Sequence, residues 1–480
     1  MLWHIARREL ADNLLTLRFP LAAALIIALF GVNALVFVGA DSREQTSDYA
    51  RRTGRAQEEL KKRAASLNEL AVKGPGRLHK RPSPLVFIAQ GHNKKLPVSV
   101  NANARGGYGW GSKNFRYNWQ GPWALRYPYQ LRQTNALLKT FLEIDWAFTV
   151  GIVISFVTIL FTYNTVCGER EDGTLRLTLS YPVPRDTLLL GKSLGAFLSV
   201  AVPTALGMVL SLLVILLSGR VVLDADAWTR IALVILFSVL YIALFVWLGV
   251  FISARCQRAA TSLLALLFLW VMLVVLIPNT LGSVASELAD IPSGKTFNQH
   301  LRQAIDEQPK PDGLYDASPS ENPPKPEALD RWSKYLGNDK ATFTRLTDAH
   351  LDDQFRQVDR TRTLMRISPA AVYQYVLESL SGTGFARHRA FVRAARQYRS
   401  RFIEFIKNTD RQDPGSPHVY PVKEGLSSKP VDVQNIPPFI DPVSLSHAVH
   451  QLALDAAILL ILAILLFTCA YFSFLRYDPR

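Results

Sequence analysis

The chain has 480 residues, of which 49% are hydrophobic and 19% charged, and it carries a formal net charge of +15. Because single hydrophobic cores stop growing near about 250–300 residues, this length excludes one compact soluble domain. Six stretches of at least 20 residues contain no Asp, Glu, Lys or Arg. An α-helix of that length crosses about 30 Å of hydrocarbon, so the sequence predicts an all-α polytopic membrane protein. The predicted transmembrane spans are 19–40, 146–167, 193–219, 231–254, 259–281 and 448–475.

The distribution of positive charge predicts on which side of the membrane each loop lies. Four short segments together carry 11 Lys and Arg residues, whereas the short loop 220–230 has two Arg balanced by two Asp. Because cytoplasmic loops are enriched in Lys and Arg, we expect the first set to be cytoplasmic, with both termini on that side. The set consists of an interfacial helix at 1–18, the segment 168–192, the turn 255–258 and the tail 476–480. The chain has no Asn-X-Ser/Thr sequon, which favours a bacterial source and hence the bacterial cytoplasmic (inner) membrane.

Two long segments, 41–145 and 282–447, are then predicted to form two extracytoplasmic domains, mainly α-helical with some β structure. All three Cys lie within or beside the spans, so both domains must be held by packing and not by disulfides. In the first segment, helical periodicity predicts a helix over 42–70 and an apolar run predicts a short strand at 85–88. The second segment is expected to contain helices at 327–337 and 368–409.

The first long segment is strongly basic, with a net charge of +11. Within it, residues 105–129 interleave Trp and Tyr with Arg and Lys. This composition is typical of an aromatic belt at the membrane interface or of packing between domains, and also of contact with glycans or lipid headgroups. We therefore expect membrane lipids as partners and no nucleic acid.

The chain contains only weak matches to nucleotide-binding, ATPase and metal-binding motifs. Residues 289–296 fit a loose phosphate-binding loop, and 380–384 resemble an ABC ATPase signature, but both lie in the segment predicted to be outside the cell. His447, His450 and Asp455 could bind a metal, although a polar helix entry at the interface is the better interpretation. The sequence therefore predicts no ATPase site, no metal and no catalytic residue in this chain.

The segment between the second and third spans is the most informative. It starts with an acidic turn, continues through Leu175, Leu177 and Leu179, and ends at Pro182 and Pro184. We interpret this segment, 168–192, as a short amphipathic helix lying beneath the bundle, where it could receive force from a soluble partner. The alternative is an ordinary charged loop. Residues 168–192 are called the coupling segment below.

The coupling segment resembles the corresponding segment of ABC-2 type transporter permeases. The similarity is carried by Glu-Arg-Glu-Asp-Gly-Thr-Leu, then Leu-Ser-Tyr-Pro-Val-Pro-Arg, then Leu-Gly-Lys. The opening Ile-Ala-Arg-Arg-Glu-Leu looks like that family's interfacial helix, and the last seven residues look like the tail of a subgroup with large extracytoplasmic insertions.

The resemblance implies a permease that dimerises with a second copy or a sister permease above cytoplasmic ABC ATPase subunits. ATP and Mg would be bound by that ATPase and no cofactor by this chain. An additional extracytoplasmic partner is left open. The residues that would lie at the ATPase groove are Glu169, Arg170, Glu171, Gly173 and Thr174, and those on the interfacial helix are Arg7, Arg8 and Glu9.

The function that follows is coupling of ATP hydrolysis by the partner to export of a lipid-like or amphipathic substrate. Two alternatives belong to other classes. In the first, mechanotransmission, the same movement drives extracytoplasmic partners and nothing is translocated. In the second, the chain is a membrane anchor or receptor without an ATPase, which would leave the coupling segment without a role. The resemblance does not assign a substrate-binding residue.

Overall fold

A computed structural model describes most of the chain. The described residues are 1–42, 47–91, 96–104, 123–127, 144–281, 291–309, 326–441 and 445–476. Most of the aromatic–basic run and the last four residues of the tail lie outside these ranges.

The described residues confirm a mainly helical fold with six helices long and apolar enough to cross a membrane. These six spans, numbered 1 to 6 in chain order, are Arg18–Gly39, Trp146–Glu171, Arg185–Leu217, Ala225–Arg255, Ala259–Leu281 and Leu452–Leu475. Spans 1, 2 and 5 each contain one π-helical stretch, at Phe37–Asp41, Thr149–Ile154 and Val271–Leu276. The remaining α-helices are Leu2–Leu14, Tyr49–Arg63, Leu67–Lys73, Thr174–Ser180, Gly294–Asp306, Pro326–Met365, Pro369–Ser381 and Gly384–Arg411.

The spans pack into one bundle because their apolar side chains share a continuous core. Span 4 lies at its centre, where Tyr241 is fully buried and donates a hydrogen bond to the Gly151 carbonyl of span 2 at 2.8 Å. Span 2 also contributes Trp146, whose indole N–H donates to Ser211 of span 3 at 3.2 Å. The Tyr241 hydroxyl and the Trp146 indole N–H therefore each have a partner on another helix, as a low-dielectric interior favours.

The prediction of a strand at 85–88 is wrong, because these residues form a buried turn that enters the bundle. Phe87 is fully buried against Phe37 of span 1 and Trp146 of span 2, and its carbonyl accepts a hydrogen bond from Asn33 at 3.2 Å. The Ile88 carbonyl accepts from the Ala147 amide at 2.9 Å. An apolar run indicates burial but does not distinguish a strand from a buried turn whose backbone bonds to another element. Residues 84–89 are called the inserted turn below.

The helix predicted over 368–409 is interrupted in the structure. Pro369–Ser381 and Gly384–Arg411 are separate helices, and Gly382 between them has a φ of 64°, a left-handed conformation that ends the first helix. The first of the two, called the inserted helix, packs among spans 4, 5 and 6. Its Tyr373 stacks on Tyr241 with ring centroids 4.3 Å apart and shares a hydrogen bond of 2.7 Å with Ser238.

Residues of both long segments share a second hydrophobic core away from the spans. Three antiparallel strands, Gly76–His79, Ser99–Ala104 and Trp123–Arg126, pair in chain order. The core joins the sheet to the helices Leu67–Lys73 and Gly384–Arg411, with Trp123 against Phe402 at 5.4 Å between ring centroids. We call this the extramembrane unit. The helix predicted at 327–337 continues to Met365, since no Gly-Pro break follows it.

Candidate functional site

The coupling segment lies at the end of span 2, where a turn at 163–166 separates the helix ending at Thr162 from the next one. It forms two short helices, Cys167–Glu171 and Thr174–Ser180, instead of the single helix expected from the sequence. Gly173 separates them with a φ of 73°, which favours glycine because a Cβ is strained there. Leu175 is fully buried in the bundle core, whereas Leu177 and Tyr181 are 64% and 63% exposed. One side of the segment is therefore fixed to the bundle, and the other exposes apolar and polar groups.

A buried lysine connects the coupling segment to the helix Leu2–Leu14. The Lys192 ammonium lies 2.8 Å from a carboxylate oxygen of Glu169 and 3.3 Å from one of Glu9. Only 4% of the Lys192 side chain is exposed, compared with 33% for Glu169 and 19% for Glu9. Burial raises the pKa of the Glu9 carboxyl, and the Lys192 ammonium opposes this shift. A charge this deeply buried requires its partners, so the three side chains hold span 3, span 2 and the N-terminal helix in one arrangement.

Two glycines let the N-terminal helix lie directly on span 3. A Cβ at Gly191 would lie 2.8 Å from the Ile5 Cβ, and one at Gly195 would lie 2.6 Å from the Glu9 Cβ. Ala6 is fully buried in this contact. Small residues four positions apart on a helix permit such close backbone approach. The N-terminal helix is thus packed on the start of span 3, and its Arg7 and Arg8 lie on the exposed face.

The coupling segment also contacts the turn between spans 4 and 5. A Glu171 carboxylate oxygen accepts a hydrogen bond of 3.0 Å from the amide of Ala259, the first residue of the span 5 helix. A carboxylate at this position is favourable because the N-terminus of a helix carries partial positive charge. The Arg170 guanidinium donates to the Cys256 carbonyl at 3.4 Å, and Ser253 of span 4 accepts from the Cys167 amide at 3.1 Å.

The structure thus brings the expected coupling residues together: Glu169 and Arg170 are half-buried against the bundle, whereas the remaining three, Glu171, Gly173 and Thr174, are exposed. Glu9, Glu169, Arg170 and Glu171 contact other parts of the bundle, and the Thr174 hydroxyl donates to the Glu169 carbonyl at 3.2 Å. Sequence reasoning quoted Gly191 and Lys192 as part of the Leu-Gly-Lys motif of the resemblance, and it did not single out Gly195. The Gly-x-x-x-Gly spacing was the available signal for the glycines. Nothing in the sequence paired Lys192 with Glu9, which is 183 residues away.

Of the other candidate residues of the sequence, His447 and His450 have side chains outside the described part of the chain. Asp455 of span 6 forms an ion pair with Arg366 at 2.6 Å. Ser293 caps the helix Gly294–Asp306 by accepting from the Thr296 amide, so the loop-like motif acts as an ordinary helix start. Among the residues that the structure describes, no group of three or more His, Cys, Asp or Glu could hold a metal ion.

Six candidate spans define a polytopic membrane protein, and its coupling segment packs between spans 2 and 3 and against the N-terminal helix. The profile of the ABC-2 family transporter proteins matches residues 3–479, so the chain belongs to that family. Proteins of this family are membrane permease subunits of ABC transporters, which implies a separate ATPase subunit as partner.

Two curated relatives share a short stretch with the chain. A probable ABC transporter permease protein NosY of Pseudomonas aeruginosa (strain PAO1) is 44% identical over 55 residues, or 12% of this chain and 20% of that protein. The protein of the same name from Stutzerimonas stutzeri is 38% identical over 55 residues, with the same shares. The chain thus spans a fifth of the length of the curated relatives it matches. The activity of those proteins is therefore not assigned to this chain.

Proposed function

We propose that this permease couples ATP hydrolysis by a separate ATPase to export of a lipid-like or amphipathic substrate across the bacterial inner membrane. It acts as a dimer with a second copy or a sister permease. The observation that carries the proposal is the arrangement around Lys192. A displacement of the coupling segment acts at once on span 2, on span 3 through Lys192, and on span 5 through Glu171.

The exposed side of the coupling segment is where the ATPase docks in this proposal. Leu177 and Tyr181 are large apolar side chains with more than half of their surface exposed. Apolar and aromatic anchors of this kind fill pockets of a partner surface. Glu169 and Lys192, on the inner side, transmit the motion that docking and ATP binding produce.

Purification of the tagged permease from its native host in mild detergent tests docking. We expect a roughly stoichiometric ATPase with the wild type and its loss with Leu177→Asp. Val222→Asp is the matched control, because Val222 is 87% exposed but lies between spans 3 and 4. The double change of Glu169 and Arg170 to Ala removes contacts inside the site as well and should also release the ATPase. Recovery of the permease without any ATPase in several detergents would refute the proposal.

A second candidate function, mechanotransmission without transport, is favoured by one observation. The inserted turn and the inserted helix join the extramembrane unit to the bundle through buried contacts of Phe87 and Tyr373. Movement of the spans is therefore passed to the extramembrane unit. Reconstitution with the ATPase in liposomes, followed by measurement of ATP-dependent loss of fluorescent lipid from the leaflet that faces the ATPase, separates the two functions. ATP turnover without lipid movement would favour mechanotransmission.

A further inference from the structure

A group of positive and aromatic side chains lies in the extramembrane unit, away from the coupling segment. It occupies the place where the helices Pro326–Met365 and Gly384–Arg411 meet the third strand. The Lys340 ammonium donates a hydrogen bond of 2.5 Å to the Tyr420 hydroxyl and lies 5.4 Å from the Trp123 ring centroid. On the same Tyr420 ring, the Lys407 ammonium lies 5.3 Å from the centroid. Two lysines therefore converge on one tyrosine.

These two lysines differ from the cations around them because no carboxylate balances them. Among the described residues, no Asp or Glu oxygen lies within 4.0 Å of either ammonium. Neighbouring Arg399, in contrast, is paired with Asp348 at 2.9 Å. Burial lowers the pKa of Lys340 to about 7, and the charges of Arg399 and Lys407 add to the shift. Burial is the main cause of the lowered pKa, and the neighbouring positive charges act in the same direction.

Among the described residues, the polar group without a partner at this place is a donor. It is the buried indole N–H of Trp123, whose ring lies beside the Lys340 ammonium. A buried donor without a partner is costly, and a second donor next to it does not relieve the cost. What the cluster lacks is an acceptor with negative charge.

The adjoining sequence does not provide that charge. Residues 105–122, which precede Trp123, contain three Lys or Arg and no Asp or Glu. The whole segment 41–145 has a net charge of +11. Neither the described residues around the two ammonium groups nor residues 105–122 supply the counter-charge, which favours an anion from another molecule.

We propose that Lys340, Lys407, Tyr420 and Trp123 form a binding site for a phosphate group. A phosphate offers several acceptor oxygens and up to two negative charges, which matches two ammonium groups, a hydroxyl and an indole N–H better than a carboxylate does. The phosphate belongs either to a phospholipid headgroup or to a soluble phosphate. The site is separate from the coupling segment and does not depend on the proposed transport.

The test uses the full chain in a phosphate-free maltoside detergent and inorganic phosphate as the probe. Broadening of the ³¹P resonance on titration gives the affinity. We expect Lys340→Met and Lys407→Met each to weaken binding about tenfold, the size typical of one lost charge-assisted hydrogen bond. Lys334→Met on the same helix is the matched control, since Lys334 is 74% exposed and paired with Asp330, and it should bind like the wild type.

Competition then identifies the source and the class of the ligand. Displacement of inorganic phosphate by short-chain phosphatidylglycerol assigns a lipid headgroup, and failure to displace assigns a soluble phosphate; both support the site. Absence of broadening with the wild type, equal broadening with Lys340→Met, or displacement by acetate at equal concentration would overturn the proposal. The unfolding midpoints of both Met variants establish that they are folded, and Lys407 is exposed, so its replacement leaves the core intact.

Discussion

The stability of the coupling site depends strongly on one side chain, that of Lys192. Replacing it with Met keeps the aliphatic stem but leaves Glu9 and Glu169 without the ammonium that neutralises both. Breaking a buried pair by removing one partner is strongly destabilising, and the partial exposure of the two carboxylates reduces the cost. We expect Lys192→Met to lower the free energy of unfolding by about 2 kcal/mol. The midpoint of thermal unfolding in detergent measures this loss.

Two further variants separate the ion cluster from a general loss of charge. Glu169→Gln should cost less than Lys192→Met, because Glu9 still pairs with the lysine. Lys334→Met removes an exposed pair and should change stability by less than about 0.5 kcal/mol. An unchanged midpoint for Lys192→Met would contradict a structural role of the cluster.

His388 makes the stability of the extramembrane unit depend on pH. It is buried, and burial together with the charges of Lys80 and Arg387 lowers its pKa to about 4. The unfolded chain takes up the proton near pH 6.5 and the folded chain only near pH 4, so stability is lost as pH falls through this window. The expected loss from this residue is about 2 kcal/mol between pH 7 and pH 4.5.

The difference between His388→Gln and the wild type measures that contribution. Carboxylates also titrate in this window, but they do so in both proteins. Unfolding midpoints from pH 7 to pH 4.5 should therefore fall less steeply in the variant. His4→Gln is the control because His4 lies on the exposed face of the N-terminal helix. Parallel curves for His388→Gln and the wild type would show that the imidazole does not contribute.

At the scale of elements, the contact between the N-terminal helix and span 3 depends on glycine. A methyl group at position 195 would lie 2.6 Å from the Glu9 Cβ and 2.9 Å from the Ala6 carbonyl oxygen, so the helix must move. We expect Gly195→Ala to lower stability by about 1–3 kcal/mol despite the better helix propensity of Ala. Thermal unfolding and the ATPase rate of the assembled complex measure the two consequences.

Gly31→Ala in span 1 is the matched control for this prediction. A Cβ there meets no atom within 4 Å, so the substitution should be neutral or stabilising. If Gly195→Ala unfolded at the same temperature as Gly31→Ala, the close packing of the N-terminal helix would be contradicted.

A comparison of the predicted with the observed elements shows which features of the fold can be predicted from the sequence. The six spans follow from charge-free runs, because lipid tolerates few charges and a helix satisfies its own backbone. The inserted turn could not be predicted from the sequence, because its burial depends on Asn33 and Trp146, which belong to two different spans. The break in the coupling segment depends on the φ of Gly173, and the sequence shows the glycine but not its conformation. The groove residues Glu169 and Arg170 remain predictions about a partner that only binding experiments can test.

For the whole molecule, the two hydrophobic cores are joined at two places. The inserted turn packs on spans 1 and 2, and the inserted helix packs on spans 4, 5 and 6. These joints lie at the start of span 2, and the coupling segment lies at its end. A rearrangement of the bundle driven from the coupling segment therefore changes the supports of the extramembrane unit, whether or not a substrate crosses.

This arrangement predicts that the coupling segment and the extramembrane unit lie on opposite sides of the membrane. Span 2 connects them directly, and the excess of Lys and Arg in the short loops puts the coupling segment in the cytoplasm. Starting from a variant with the three Cys replaced by Ser, single cysteines at the exposed positions Leu177 and Ser400 test this prediction. A membrane-impermeant maleimide should label Ser400→Cys in intact spheroplasts and Leu177→Cys only in inside-out vesicles. Labelling of both from the same side would contradict the six-span topology, and the reversed pattern would contradict the orientation while leaving the fold intact.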